Sequence, residues 1–320
     1  MKVINFIILV LYFSVLSADY AGGYSGSVLR LGVSARDISL SGSMVSAYNE
    51  GFSAFSNPSF VSKTKRLAFG SSLFLLGNNT SMQAFSISRD LPPNAGASLS
   101  IVHLGVSDII GINSNEQFTN YLGYHDSYAM LSFGINFSKY ISIGINTKTL
   151  FQRYNLSNSE TLSSDGISFD LGFLSSPIEN LNIGIKINNL SGYYKWENSR
   201  IEIPTQLISG ISYSPRESLL LLFQHELIDI NQKYLSHRSS FGSEFKINVT
   251  NSNTYIIRFG LKQNQWAIIN NESVSDLFKV TSGLGIKFKS FNKSIINLDY
   301  AIMFNNELGV SNLISISAEL

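Results

Sequence analysis

The sequence predicts an all-β protein: a transmembrane antiparallel β-barrel of about 14 strands, with a short N-terminal plug that contains helical turns. Three observations predict it. Segments of about ten residues alternate apolar and polar side chains with period two, the length of a tilted strand crossing a bilayer. The connections between these segments alternate short and long along the chain, the long ones including 105–127, 155–165, 191–204 and 264–278. The composition is 44% hydrophobic but only 14% charged, against roughly 25% charged in a soluble domain, so part of the surface faces something other than water.

The elements follow in chain order. Lys2 precedes an almost wholly apolar run over 3–16, and Leu16-Ser17-Ala18 offers a small-residue cleavage site, so residues 1–18 are expected to be a signal peptide. The run is shorter than the roughly 20 residues a helix needs to span a bilayer. Without cysteine, the exported chain has no disulfide framework. Residues 19–65 show no clean strand period, yet they carry Leu29, Leu31, Ile38, Leu40, Met44 and Val45. A free tail would leave these exposed, so the segment is expected to fold as short helical turns inside the barrel.

The barrel is expected over 66–320. Its 14 segments are 66–75, 82–89, 95–104, 128–137, 141–154, 166–174, 181–190, 205–214, 219–228, 238–247, 254–263, 279–289, 294–304 and 308–319. Ile141, Ile143 and Ile145 alternate with Ser142, Gly144 and Asn146, and Ile167, Phe169, Leu171 and Phe173 alternate with Ser168, Asp170 and Gly172. Residues 219–223 are apolar on both faces. A soluble β-sandwich also alternates, but usually with strands of about five or six residues. In hydrocarbon every backbone donor and acceptor must be paired internally, which leaves helices or a closed barrel. No segment after the first is long and apolar enough for a membrane helix. The isoleucines then face lipid, and Lys148, Asp170, Lys186, Glu244, Arg258, Lys262 and Asp299 face a wet lumen. Lys148 and Asp170 fall on adjacent strands. An ion pair between them, with Arg36 of the plug joining it, and separately solvated charges both fit that placement. A lumen of Ser, Asn, Gly and charges is a poor lining for a greasy ligand, whereas the long connections 105–127 and 264–278 have room for a partner.

Several chemistries find no support. With 23 basic and 22 acidic residues and no polybasic run, there is no field for nucleic acid. His103, His125, His225 and His237 have no recognised metal spacing, and Gly283-Leu284-Gly285 lacks the third glycine of a dinucleotide fingerprint. No Gly-x-Ser-x-Gly elbow or phosphate loop occurs. No catalytic residue, cofactor or metal is expected. Asn78-Asn79-Thr80-Ser81 is expected to be a turn.

Leu29-Arg30-Leu31-Gly32-Val33-Ser34-Ala35-Arg36, Leu40-Ser41-Gly42 and Asn57-Pro58 resemble the N-terminal signature of PorV/PorQ-type outer-membrane proteins. The resemblance continues weakly through Ile143-Gly144-Ile145-Asn146-Thr147-Lys148, Phe169-Asp170-Leu171-Gly172 and Ile187-Asn188-Asn189-Leu190. Ser41, Asn49-Glu50, Ser56 and Ser59 depart from that pattern, and the chain ends in Leu320 where many barrels end in an aromatic residue. The resemblance implies a 14-stranded barrel similar to the FadL-like barrels, with Arg36, Gly42, Asn57 and Pro58 as plug motif. It also implies a bacterial outer-membrane location among lipid, and association with type IX secretion components or their cargo proteins. Similarity to FadL-like barrels implies the alternative, passive transport of hydrophobic small molecules past the plug and out through the wall.

Overall fold

The computed structural model describes residues 25–112, 118–156, 161–230, 234–250, 252–263, 278–289, 294–305 and 309–320. The expected signal peptide lies outside them. The strands are β1 (Ala68–Gly77), β2 (Thr80–Leu91), β3 (Ala95–Ile112), β4 (Phe118–Asn136) and β5 (Ile141–Asn155). They continue with β6 (Thr161–Ile178), β7 (Leu181–Trp196), β8 (Ser199–Glu202), β9 (Gln206–Arg216) and β10 (Leu219–Ile230). The chain closes with β11 (Tyr234–Asn248), β12 (Asn253–Gln263), β13 (Phe278–Lys289), β14 (Ile295–Asn305) and β15 (Gly309–Glu319). Each pairs antiparallel with its neighbour, β15 returns to β1, and β8 only extends a hairpin on β7, so 14 strands form a closed barrel. Closure leaves no unpaired edge, as a chain surrounded by hydrocarbon requires.

Every expected segment lies on a strand, and the faces divide as period two dictates. Ile141, Ile143 and Ile145 are exposed on the outside while Ser142, Asn146 and Lys148 are buried inside. Ala68 pairs with Glu319 and Ser88, so the turns joining β2 to β3 and β4 to β5 share one end of the barrel with the start of β1 and the end of β15. At the far end Asn78 and Asn79 close β1 to β2 with φ of 46° and 54°, the two left-handed residues that match a tight hairpin to strand twist.

The expected long connections are corrected. β3 runs to Ile112 and β4 starts at Phe118, so most of 105–127 is paired strand. Residues 155–165 lie largely in β5 and β6, and the hairpin of β7 and β8 takes up most of 191–204. Polar residues such as Ser107, Asp108 and Asn120 in these stretches resemble loop composition, yet strands that rise beyond the membrane carry polar residues at no desolvation cost. The long connection 264–278 lies, except for Phe278, outside the described residues.

Residues 25–65 fold inside the barrel. Their turns of helix are Ser27–Arg30, Ala35–Ser39, Ser53–Ser56 and Pro58–Lys63. Ser34 caps the second by accepting from the Asp37 amide at 3.1 Å, and Asn57 caps the last by accepting from the Ser59 amide at 3.1 Å. Val28, Leu29, Val33, Ala35 and Ile38 pack on inward residues of the wall, among them Phe74, Leu76, Met82, Val102, Met130 and Leu150. Leu222 packs with Leu40, Met44 and Ala47 against partly buried Leu220, which explains the two apolar faces of 219–223: one side meets lipid and the other meets the plug.

Candidate functional site: the space between plug and wall

Three charged groups fix the plug or line the space beside it. In the first, Arg36 Nε donates to Glu244 Oε2 at 2.7 Å and its Nη1 reaches Glu50 Oε2 at 3.2 Å. Arg258 joins Glu244 at 2.8 Å and Asp299 at 2.6 Å, and Lys287 donates to Glu50 Oε1 at 2.9 Å. Burial raises the Glu50 carboxyl's affinity for a proton, but Arg36 and Lys287 outweigh it and hold its pKa at about 2. Arg36 therefore belongs to this group and does not join Lys148 and Asp170. Its position in the plug points it at β11 and β12, the opposite wall.

In the second group, Lys148 Nζ donates to Asp170 Oδ1 at 2.7 Å, both side chains being buried. Asn146 also donates to Asp170, at 2.9 Å. Lys186 Nζ stands 3.9 Å from Asp170 Oδ2 and donates to the Phe55 carbonyl at 2.6 Å, tying wall to plug. In the third group, Arg238 and Lys262 both pair with Glu226, Lys262 at 3.1 Å. Sequence reasoning placed Lys262 in the lumen but missed Glu226 and Arg238, although Gln224, Glu226 and Ile228 alternate inward with His225 and Leu227 outward.

The motif residues of the plug have separate tasks. Asn57 Nδ2 donates to the carbonyls of Val45 (3.0 Å), Phe173 (3.2 Å) and Ile185 (3.3 Å), bridging plug and wall, while its Oδ1 accepts from Ser59 Oγ at 2.7 Å. Pro58 lies so close to β5 and β6 that a Cβ on Gly144 would strike its carbonyl carbon and one on Gly172 would meet its ring at 2.7 Å. Gly144 thus admits the plug backbone. Gly42 turns with φ 77°, and a Cβ there would stand 3.3 Å from Lys262 Nζ.

Between plug and wall lies a cavity of about 310 Å³. Leu31, Ile38, Phe55, Phe74, Leu76 and Met130 give it an apolar wall, and Lys148, Asp170, Lys186, Glu226, Arg238 and Lys262 give it a charged one. The expected lumen, mostly of Ser, Asn, Gly and charges, is corrected here. β1 carries Leu73 and Leu75 outside and Phe74 and Leu76 inside, so both faces of its far half are apolar and period two assigned the oil to lipid alone. Asp37 of the plug borders the same cavity, and burial pushes its carboxyl up to about 6 against the pull of Lys262 and Lys186. Beside the cavity the wall is irregular. β7 pairs with β9 only as far as Asn188 and Gln206, and Asn189 and Ser191 then adopt φ of 58° and 53°.

No family model matches the chain. No curated protein matches it either. Among solved structures it is similar to the CymD monoaromatic hydrocarbon channel, with a TM-score of 0.62 at 12% identity over 90% of this chain and 97% of that one. The Ralstonia pickettii toluene transporter TbuX gives 0.62 at 11% identity, over 90% and 98% of the two chains. A Pseudomonas aeruginosa FadL homologue gives 0.58 at 10% identity, over 89% and 97%. At such identities the likeness establishes the fold alone: a closed 14-stranded antiparallel barrel like those of these structures, with helical turns at its N-terminal side.

Proposed function

We propose that this protein is an outer-membrane channel for small molecules with a substantial apolar part, which enter at the far end and pause in the cavity above the plug. The observation that carries the reading is that cavity: about 310 Å³, lined on one side by apolar side chains of the plug and of the inner face of the wall. It has the size and mixed lining of a small-molecule site. The neighbours named as monoaromatic hydrocarbon channel and toluene transporter support it. The wall irregularity supports an exit to the membrane. Next to Asn188 and Gln206, which line the cavity, β9 has no ladder partner for Leu190, and Pro204 has no amide to supply one.

The partner-binding role in type IX secretion, implied by the PorV/PorQ resemblance, is a second proposal with less to support it. It rested on long loops and a mostly polar lumen. One of those loops is mostly strand, and the lumen has an apolar wall.

The test is uptake of radiolabelled toluene by cells carrying the barrel, compared with Phe74→Arg, which places a charge in the apolar wall at a position whose ladder partners are Met82 and Leu313. Uptake above vector control that falls several-fold in the variant is the expected result. Uptake equal to control, with a stable protein partner retained through gentle extraction, favours the secretion reading instead.

A further inference from the structure

We infer that His103 and His125 form a two-imidazole site for a divalent transition-metal ion on the outer surface of the barrel. The two residues come from β3 and β4, 22 positions apart, a spacing that no linear metal motif contains. Their rings lie 5.4 Å apart and nearly parallel, with 19° between planes. Both point outward, since inward neighbours Val102, Leu104 and Asp126 alternate with them and are buried.

Two nitrogens converge there. His103 Nδ1 lies 2.7 Å from Ser127 Oγ, and the tautomer that donates to that hydroxyl leaves the Nε2 lone pair available. His125 Nδ1 is buried and has no hydrogen-bond partner. Gly105 sits directly opposite His125 in the ladder, and a Cβ there would stand 3.4 Å from His125 Nδ1 and 3.5 Å from His103 Nε2. The absent side chain of Gly105 therefore leaves a space that both lone pairs face. A bound ion needs M–N distances of about 2.0–2.1 Å with both lone pairs directed at it, so binding requires the rings to turn out of their nearly parallel arrangement. A ring nitrogen held by a hydroxyl while the other faces the metal is the usual outer-shell arrangement.

The molecule carries its own control. His225 and His237 on β10 and β11 repeat the layout, with rings 5.8 Å apart and His225 Nδ1 3.0 Å from Ser239 Oγ. There Leu227 occupies the position of Gly105, opposite the second histidine, and fills the space. Metal is thus assigned to the first pair alone. No third His, Cys, Asp or Glu ligand joins either pair among the described residues, so water completes the coordination, and Arg153, opposite His125 on β5, weakens a dication without closing the site. Imidazole donors favour zinc, copper or nickel over magnesium and calcium.

The site opens on the outer surface, where His103 is exposed. In the ladder row of His103 its neighbours are Gln83 on β2 and Ser127 on β4, with Phe151 next, and in the row of His125 they are Gly105 on β3 and Arg153 on β5, with Ser163 next.

The test uses the full barrel folded in detergent, titrated with Zn²⁺ by calorimetry and with Cu²⁺ by electron paramagnetic resonance. One equivalent is expected to bind, with hyperfine structure from two nitrogens. Gly105→Leu, which keeps both imidazoles, and His125→Ala are each expected to abolish binding. Ser127→Ala is expected to weaken it about tenfold. The double variant His225→Ala/His237→Ala is expected to bind like the parent. Folding of each is checked by the gel shift between unboiled and boiled samples, and His103→Gln replaces any variant that fails it. Absence of stoichiometric binding overturns the inference, as does binding that survives Gly105→Leu or is lost with the second pair.

Discussion

At the scale of single residues, the buried charges set what each substitution does. Lys148 and Asp170 are both buried, so removing one leaves the other buried without its nearest counter-charge, Asp170 keeping only Lys186 at 3.9 Å and the Asn146 amide. Breaking such a pair costs about 3–5 kcal/mol, whereas replacing both partners with apolar groups of similar volume is often near neutral. Lys148→Met is therefore expected to destabilise the barrel by that amount in urea unfolding, and Lys148→Met/Asp170→Leu to recover most of it. Equal loss in the double variant counts against a coupled pair. Outside the membrane-spanning strands, Asp37 and Glu50 titrate in opposite senses. Glu50 is depressed to about 2 from 4.5, so its contribution is present above 4.5 and is lost as pH falls toward 2. Asp37 is raised to about 6 from 3.8, so its contribution is full below 3.8 and is lost as pH rises through 6. Protection of the plug from protease should decline between about pH 4 and pH 6, and Asp37→Asn should flatten that decline while leaving the acid-side loss due to Glu50.

At the scale of elements, the strands were legible because a residue facing lipid and a residue facing the lumen must differ, and Ile143 and Ser142 do. The plug was legible as a segment without strand period whose apolar residues need cover. Its contacts were not. Arg36 meets Glu244 208 positions away, and nothing in the spacing of either residue encodes that meeting. The apolar half of the cavity escaped for a different reason: where both faces of β1 are oily, alternation disappears and the lumen has no separate signature. The glycines show how the two elements fit. Gly144 and Gly172 interrupt the alternation without polar or apolar character, and both lie under Pro58. A Gly172→Val substitution overpacks that contact and costs roughly 1–3 kcal/mol, which the plug can relieve by leaving the wall. Protease cleavage within 53–63 should accelerate in this variant while the barrel keeps its heat-dependent gel shift. Unchanged cleavage would show that the wall, not the plug, absorbs the strain.

At the scale of the whole molecule, barrel and plug divide the work. The ladder of 14 strands closes on itself and satisfies its backbone without the plug. The plug adds ion pairs at Arg36, a hydrogen-bonded bridge at Asn57, and a link from Ser62 Oγ to Asn136 Oδ1 of 2.9 Å. These attach it at β4, β6, β7 and β11, on several sides of the lumen, so it blocks the axial path while leaving the cavity beside β1 and β4 open. Axial flow of ions and pausing of an apolar solute are thus separable. Deleting 27–60 should convert the barrel from closed to conducting in a planar bilayer, because the lumen that remains keeps Glu244, Arg258, Asp299 and Glu226 as a wet lining. The same deletion removes Leu31, Ile38 and Phe55 from the cavity, so uptake of toluene should lose its saturation and rise linearly with concentration. A deletion that conducts ions yet retains saturable uptake would place the binding step in the wall alone. A deletion that stays closed, with the gel shift intact, would mean that the far-end strands and not the plug seal the barrel.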